Sequence, residues 1–74
     1  MKLEVYNFLK AEAEADKAKA LASVELLTNN ASGIGDHSTG DYWSNCKEAL
    51  KLLASAEERL ETLEKYFKPG KSVI

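Results

Sequence analysis

Eight residues limit most sharply what this chain can become. Tyr42, Cys46, Ala49, Leu53, Ala56, Leu60, Leu63 and Phe67 follow one another at spacings of 4, 3, 4, 3, 4, 3 and 4. An α-helix turns once in about 3.6 residues, so this spacing lays all eight along one seam. A strand would scatter them over both faces. The spacing predicts a helix over about 39–67, with a seam that needs a second helix to cover it. Leu50, Leu52 and Tyr66 widen the apolar surface beyond that seam. Glu61–Lys65 and Glu64–Lys68 are i,i+4 pairs in the favourable order, worth a few tenths of a kcal/mol each.

The covering helix lies upstream. Residues 3 to about 29 contain neither Gly nor Pro and are rich in Ala, Leu, Glu and Lys, which lose little entropy on becoming helical. Their apolar side chains fall into two groups. Leu3, Tyr6, Leu9, Ala13, Ala20, Leu21, Val24 and Leu27 make a broad face. Phe8, Ala11, Ala15, Ala18, Ala22 and Leu26 make a shallower stripe, whose alanines would permit close approach by another helix. Lys10 and Lys17 fall within the broad face, where their stems can pack while the ammonium groups reach water.

Between the helices stands "NNASGIGDHSTGDYW", residues 29–43, with three of the four glycines, the only histidine and the only tryptophan. Capping chemistry accounts for most of it. Asn29, Asn30 and Gly33 suit a helix end because Asn and Gly tolerate left-handed backbone. Ile34 suits packing back onto that end. Asp36, Ser38 and Thr39 suit the N-cap of the second helix, and Ser38 with Asp41 resembles a capping box. Pro69 and Gly70 stop the second helix, leaving 69–74 as a flexible tail. The expected fold is all-α: one hairpin over 1–68, with helices at about 3–29 and 39–67 and a connection at about 30–38. Two helices of similar length on a short connection lie antiparallel.

The 74-residue length matters here, because a domain of this size buries only about 60% of its unfolded surface. Cys46 is the only cysteine, so no disulfide within the chain can help. Both helices offer more apolar surface than one partner covers. The chain is therefore expected to form a homodimer, a four-helix bundle with twofold symmetry. The seam of core and dimer is assigned to Tyr6, Leu9, Val24, Leu27, Cys46, Leu53, Leu60, Leu63 and Phe67. A net charge of −2 with interleaved signs argues against nucleic acid, which needs a basic patch. The absence of a long apolar run argues against a signal peptide or membrane span. A cytoplasmic protein is expected.

Chemistry has few places to reside. Asp36, His37 and Ser38 adjoin in sequence, but a hydrolytic triad is assembled by a fold with a pocket and an oxyanion hole, which a hairpin lacks. Asp36, His37 and Asp41 fall short of a zinc set with one Cys and one His in the chain. They also fall short of a calcium loop. "GIG" lacks the Gly-Lys-Ser/Thr ending of a phosphate loop. Cys46 reads as a small buried hydrophobe rather than a reactive thiol, having no cation placed to activate it. The expectation is no enzyme, no cofactor and no metal. His37, Tyr42 and Trp43 remain as candidate partner contacts. Trp43 could instead fold over the bundle end onto Ile34 and Leu27.

The run "GIGDHS" follows an Asn-containing helix end and precedes "YW" and an Ala/Leu/Glu helix. In this it resembles small uncharacterised helical-hairpin proteins of tailed phages, including cyanophages, with a Gly-Ile-Gly-Asp-His connection. The resemblance covers residues 33–38 and the layout. It implies an intracellular accessory protein, in the host cytoplasm, and carries over no site residues. The function expected on both grounds is protein–protein interaction without catalysis, with a host or phage protein as partner. The alternative is a structural or assembly component that acts by self-association.

Overall fold

The computed structural model describes residues 1–29 and 39–70, and only the backbone of Thr39. Two helices, α1 (Leu3–Asn29) and α2 (Thr39–Phe67), pack against each other as an antiparallel hairpin. The molecule measures 57 × 17 × 15 Å. Its radius of gyration, 16.6 Å, far exceeds the roughly 11 Å of a compact domain of this length. A rod of this kind has little interior, and its width depends on what lies between the helices.

What lies there is mostly alanine. Among the described residues the buried ones are Tyr6, Ala13 and Ala20 in α1 and Ala49, Ala56 and Leu63 in α2. Within each helix they recur every seven residues. Ala20 and Ala49 lie toward the connection, Ala13 and Ala56 in the middle of the helices, and Tyr6 and Leu63 toward the far end. Methyl groups meet in the middle of the rod, and a larger pair closes its far end. Alanine at successive heptad positions lets two helix axes come to the short end of the roughly 8–10 Å range.

This arrangement corrects the assignment of the core. Of the nine residues expected to form the seam, only Tyr6 and Leu63 are buried. Leu9, Val24, Leu27, Cys46, Leu53 and Leu60 are half-buried, and Phe67 is 42% exposed. Two helices in alanine contact leave no room for large side chains on the line between them. The leucines flank the contact instead. The alanines that permit close approach are also different from those expected. Ala11, Ala15, Ala18 and Ala22 lie exposed with Phe8 and Leu26, on the side of α1 turned away from α2.

The helix ends follow local chemistry. Glu4 and Asp41 sit in the first turns and Lys65 in the last turn of α2, each where the helix dipole favours its charge. The Tyr6 amide donates to the Lys2 carbonyl at 3.0 Å, carrying the first turn of α1 back to Lys2. At the other end the Thr28 hydroxyl donates to the Val24 carbonyl at 2.7 Å. Asn29 is still helical and has negative φ, so it is not the left-handed stop. The other capping assignments, to Asn30, Gly33, Ile34, Asp36 and Ser38, lie outside the described residues, as do residues 71–74. α2 ends because Pro69 disfavours helical backbone at Lys68, and Gly70 takes φ +78°, which costs glycine nothing.

Candidate interaction surface

Ion pairs between the helices identify the two flanks of the rod. Arg59, the only arginine in the chain, spans the gap on one side. Its Nη2 donates to Asp16 Oδ2 at 2.9 Å, its Nη1 lies 3.9 Å from Glu12 Oε1, and its Nε donates to the Ser55 carbonyl at 3.2 Å. On the opposite flank Lys17 Nζ lies 3.8 Å from Glu57 Oε2. At 100° per residue, Leu52 and Asn45 share the Arg59 flank, whereas Leu50, Leu53 and Leu60 share the Glu57 flank. In α1, Leu9 and Ser23 go with Asp16, and Lys10, Leu21 and Val24 go with Lys17.

Arg59 had no assigned role in the sequence reading. Its planar fork reaches two carboxylates on α1 while its stem stays on α2, so it ties the register of the hairpin. An arginine one turn beyond a seam alanine, with acids upstream at a matching level, was the available signal.

The Glu57 flank divides along its length. Near the connection it is apolar: Leu21 and Val24 from α1, and Trp43, Cys46, Leu50 and Leu53 from α2. Trp43 is 59% exposed and Leu50 62% exposed. Toward the middle and far end it is charged, with Lys10, Glu14 and Lys17 on α1 and Glu57 and Glu64 on α2. Leu60 and Leu3 finish that end. Within the hairpin, among the described residues, Lys10 and Glu14 make no ion pair.

The Arg59 flank is different. Its middle is closed by the Arg59 clasp, and its far end holds a cleft of about 270 Å³ lined in part by Leu9, Glu12, Arg59, Leu63 and Phe67. That is below the roughly 300–1,000 Å³ of typical ligand sites, and Glu12 is already engaged by Arg59.

Two of the three expected partner contacts can be placed. Tyr42 is half-buried, and the Trp43 ring meets it edge-on at 5.0 Å and 68°. An anchored tyrosine thus holds an exposed tryptophan, which favours contact over folding down onto Leu27. Ile34, the other proposed support for Trp43, lies outside the described residues, as does His37. The Tyr42 hydroxyl titrates above its ordinary value of 10.0. The main cause is its hydrogen bond with Cys46, one turn on; slight desolvation and repulsion from the Cys46 thiolate add to it. Cys46 itself is a half-buried free thiol on the apolar half of the flank.

Among the described residues no cluster of three or more His, Cys, Asp or Glu side chains could hold a metal ion. Nor, among them, is any helix long and apolar enough to cross a membrane. Asp36 and His37, the core of the catalytic and metal readings, lie outside those residues. What the structure brings together is a set of exposed apolar side chains flanking the alanine contact. Comparison with family models, with curated proteins and with solved structures finds no match to the chain.

Proposed function

We propose that this chain acts by protein–protein contact without catalysis, as a helical hairpin that pairs with a second copy. One observation carries the reading. Among the described residues no large side chain is fully buried, while Phe8, Leu26, Leu50, Trp43 and Tyr66 all remain more than half exposed. A soluble rod with so much apolar surface and so little interior gains by covering it. The resemblance of residues 33–38 extends the proposal: a phage accessory protein, in the host cytoplasm, that engages a host or phage protein. The −2 net charge supports a protein partner over nucleic acid.

Phe8, Val5 and Leu26 favour a second reading. They lie on the outer side of α1, away from Leu50 and Trp43, and a chain with two separate apolar faces can assemble without closing. Sedimentation velocity over the micromolar range distinguishes the two. A discrete dimer is the expected result. Open-ended oligomers would replace it with the assembly role, and a monomer throughout would refute self-association.

A further inference from the structure

We propose that the Arg59 clasp selects the register of the hairpin, choosing among heptad-shifted pairings that the alanine contact and the Lys17–Glu57 pair would each admit. This concerns the single chain and stands apart from the self-association proposed above.

The need for a selector follows from the interval of seven. Among the described residues the buried ones are Tyr6, Ala13 and Ala20 in one helix and Ala49, Ala56 and Leu63 in the other. Sliding one helix past the other by seven residues, about 10 Å, leaves the same alanines on the contact line. Such a slip shortens the overlap by at most one heptad. The nine residues between Asn29 and Thr39 could reach about 30 Å when extended, so their number does not forbid it.

The Glu57 flank does not discriminate either. Lysines stand at 10 and 17 in α1 and glutamates at 57 and 64 in α2, seven apart in both helices. In the observed register Lys17 Nζ lies 3.8 Å from Glu57 Oε2. One heptad toward the start of α1, Glu57 meets Lys10 instead. One heptad the other way, Lys17 meets Glu64. A lysine meets a glutamate in all three registers.

The Arg59 flank has no such repeat. In the observed register the guanidinium meets Glu12 and Asp16, the latter at 2.9 Å. A shift toward the start of α1 sets Arg59 against Val5 and Leu9, and the opposite shift sets it against Lys19 and Ser23. Neither pair of positions offers an acid. The first shift sets the charge against hydrocarbon, and the second sets it beside a like charge. Its own helix fixes the aim of the side chain: Nε donates to the Ser55 carbonyl and to Ser55 Oγ, each at 3.2 Å. A held fork that finds carboxylates at one level only specifies register, as single polar positions do in coiled coils.

Register is read from a nitroxide pair on Glu25→Cys and Glu61→Cys, both exposed, in a Cys46→Ser background. Labelled chain is diluted into excess unlabelled chain, so that only distances within one hairpin count. A slip of one heptad changes this distance by roughly 7–10 Å. The parent should give one distance. Arg59→Met keeps an apolar stem and should raise the slipped population at least about fivefold, giving a resolved second distance. Glu12→Gln with Asp16→Asn should do the same with the arginine in place. Lys17→Met should keep the single distance. Should one of the two clasp proteins fail to fold, the other decides. A single unchanged distance in both would overturn the proposal, as would a second distance in Lys17→Met. Loss of helicity by circular dichroism in both clasp proteins would also overturn it, because the clasp would then hold the hairpin together rather than choose its register.

Discussion

Ala56→Leu tests the central packing claim, because its sign depends on how close the helices are. Ala56 has no exposed surface and sits mid-helix, seven residues from Ala49 and from Leu63. Leucine is nearly as good a helix former as alanine, so propensity changes little. If the helices were loosely spaced, the added side chain would fill apolar space and stabilise the protein. Where methyl groups from both helices meet, it must instead push the axes apart. Side chains of leucine size move helices toward the wide end of the roughly 8–10 Å range. A shift of that size would also stretch the 2.9 Å contact between Arg59 and Asp16 beyond hydrogen-bond reach. Overpacking of this kind costs about 1–3 kcal/mol. That is a large share of the roughly 4–11 kcal/mol expected for 74 residues. A loss of about 2 kcal/mol lowers the melting temperature by about 8–16 °C. The assay is thermal denaturation followed by circular dichroism at one fixed protein concentration, since the proposed dimerisation would make melting depend on concentration. Ala54→Leu, on the exposed face of α2, is the control and should change stability by less than about 0.5 kcal/mol. An Ala56→Leu protein that melts at or above the wild type would refute close approach at this level.

Further predictions address the flanks and the clasp. Leu53→Asp or Leu60→Asp places a charge beside the alanine contact and should abolish both helicity and dimerisation; a folded monomer from either would show that hairpin and dimer do not share these residues. Arg59→Ala should cost no more than about 1 kcal/mol, because the guanidinium is more than a third exposed and water screens such pairs. Its effect should shrink as salt is raised in urea melts, and an effect independent of salt would mean that packing of the arginine stem dominates. Tyr42 gives a pH dependence. Its folded value lies above 10.0, so the stability it contributes is fully present below pH 10 and is lost as pH rises through the folded value. Stability–pH curves of wild type and Tyr42→Phe should therefore converge only on the alkaline side, and parallel curves across that range would contradict the hydrogen bond with Cys46.

The hairpin was legible because two stretches without interior breakers carry helical periodicity on either side of a connection rich in Gly and Asn. The core was less legible, for a physical reason. A periodicity scan weights Leu53, Leu60 and Phe67 above Ala49 and Ala56 because hydrophobicity scales with area. In a rod of two helices the line of closest contact belongs to the smallest side chains, and the large ones are displaced to its flanks. The interval of seven from Tyr6 through Ala13 and Ala20 was present in α1, but diluted by an alanine stripe one face away. Arg59 was overlooked for a related reason: its partners Glu12 and Asp16 are distant in sequence, and only the antiparallel register brings them level. For the interaction surface, Trp43 stood out by type, whereas Leu50 became informative only once its exposure was known.

The alanine contact and the uncovered leucines have one origin. A buried methyl group contributes about 0.8 kcal/mol, and a fully buried leucine or phenylalanine about 1.5–3 kcal/mol. Four alanines at the contact line therefore contribute about as much as one or two leucines, so this core alone is a weak source of stability. Its value lies in geometry. Close approach makes the hairpin narrow, and a narrow hairpin turns Leu21, Leu50 and Leu53 outward on one flank instead of inward between the helices. Those residues can stabilise the fold only if something covers them. Replacing the alanines with leucines would build a thicker, more self-sufficient pair and remove the need for a partner. Keeping them small directs the larger hydrophobic contribution to a surface, where the proposed association would couple to folding.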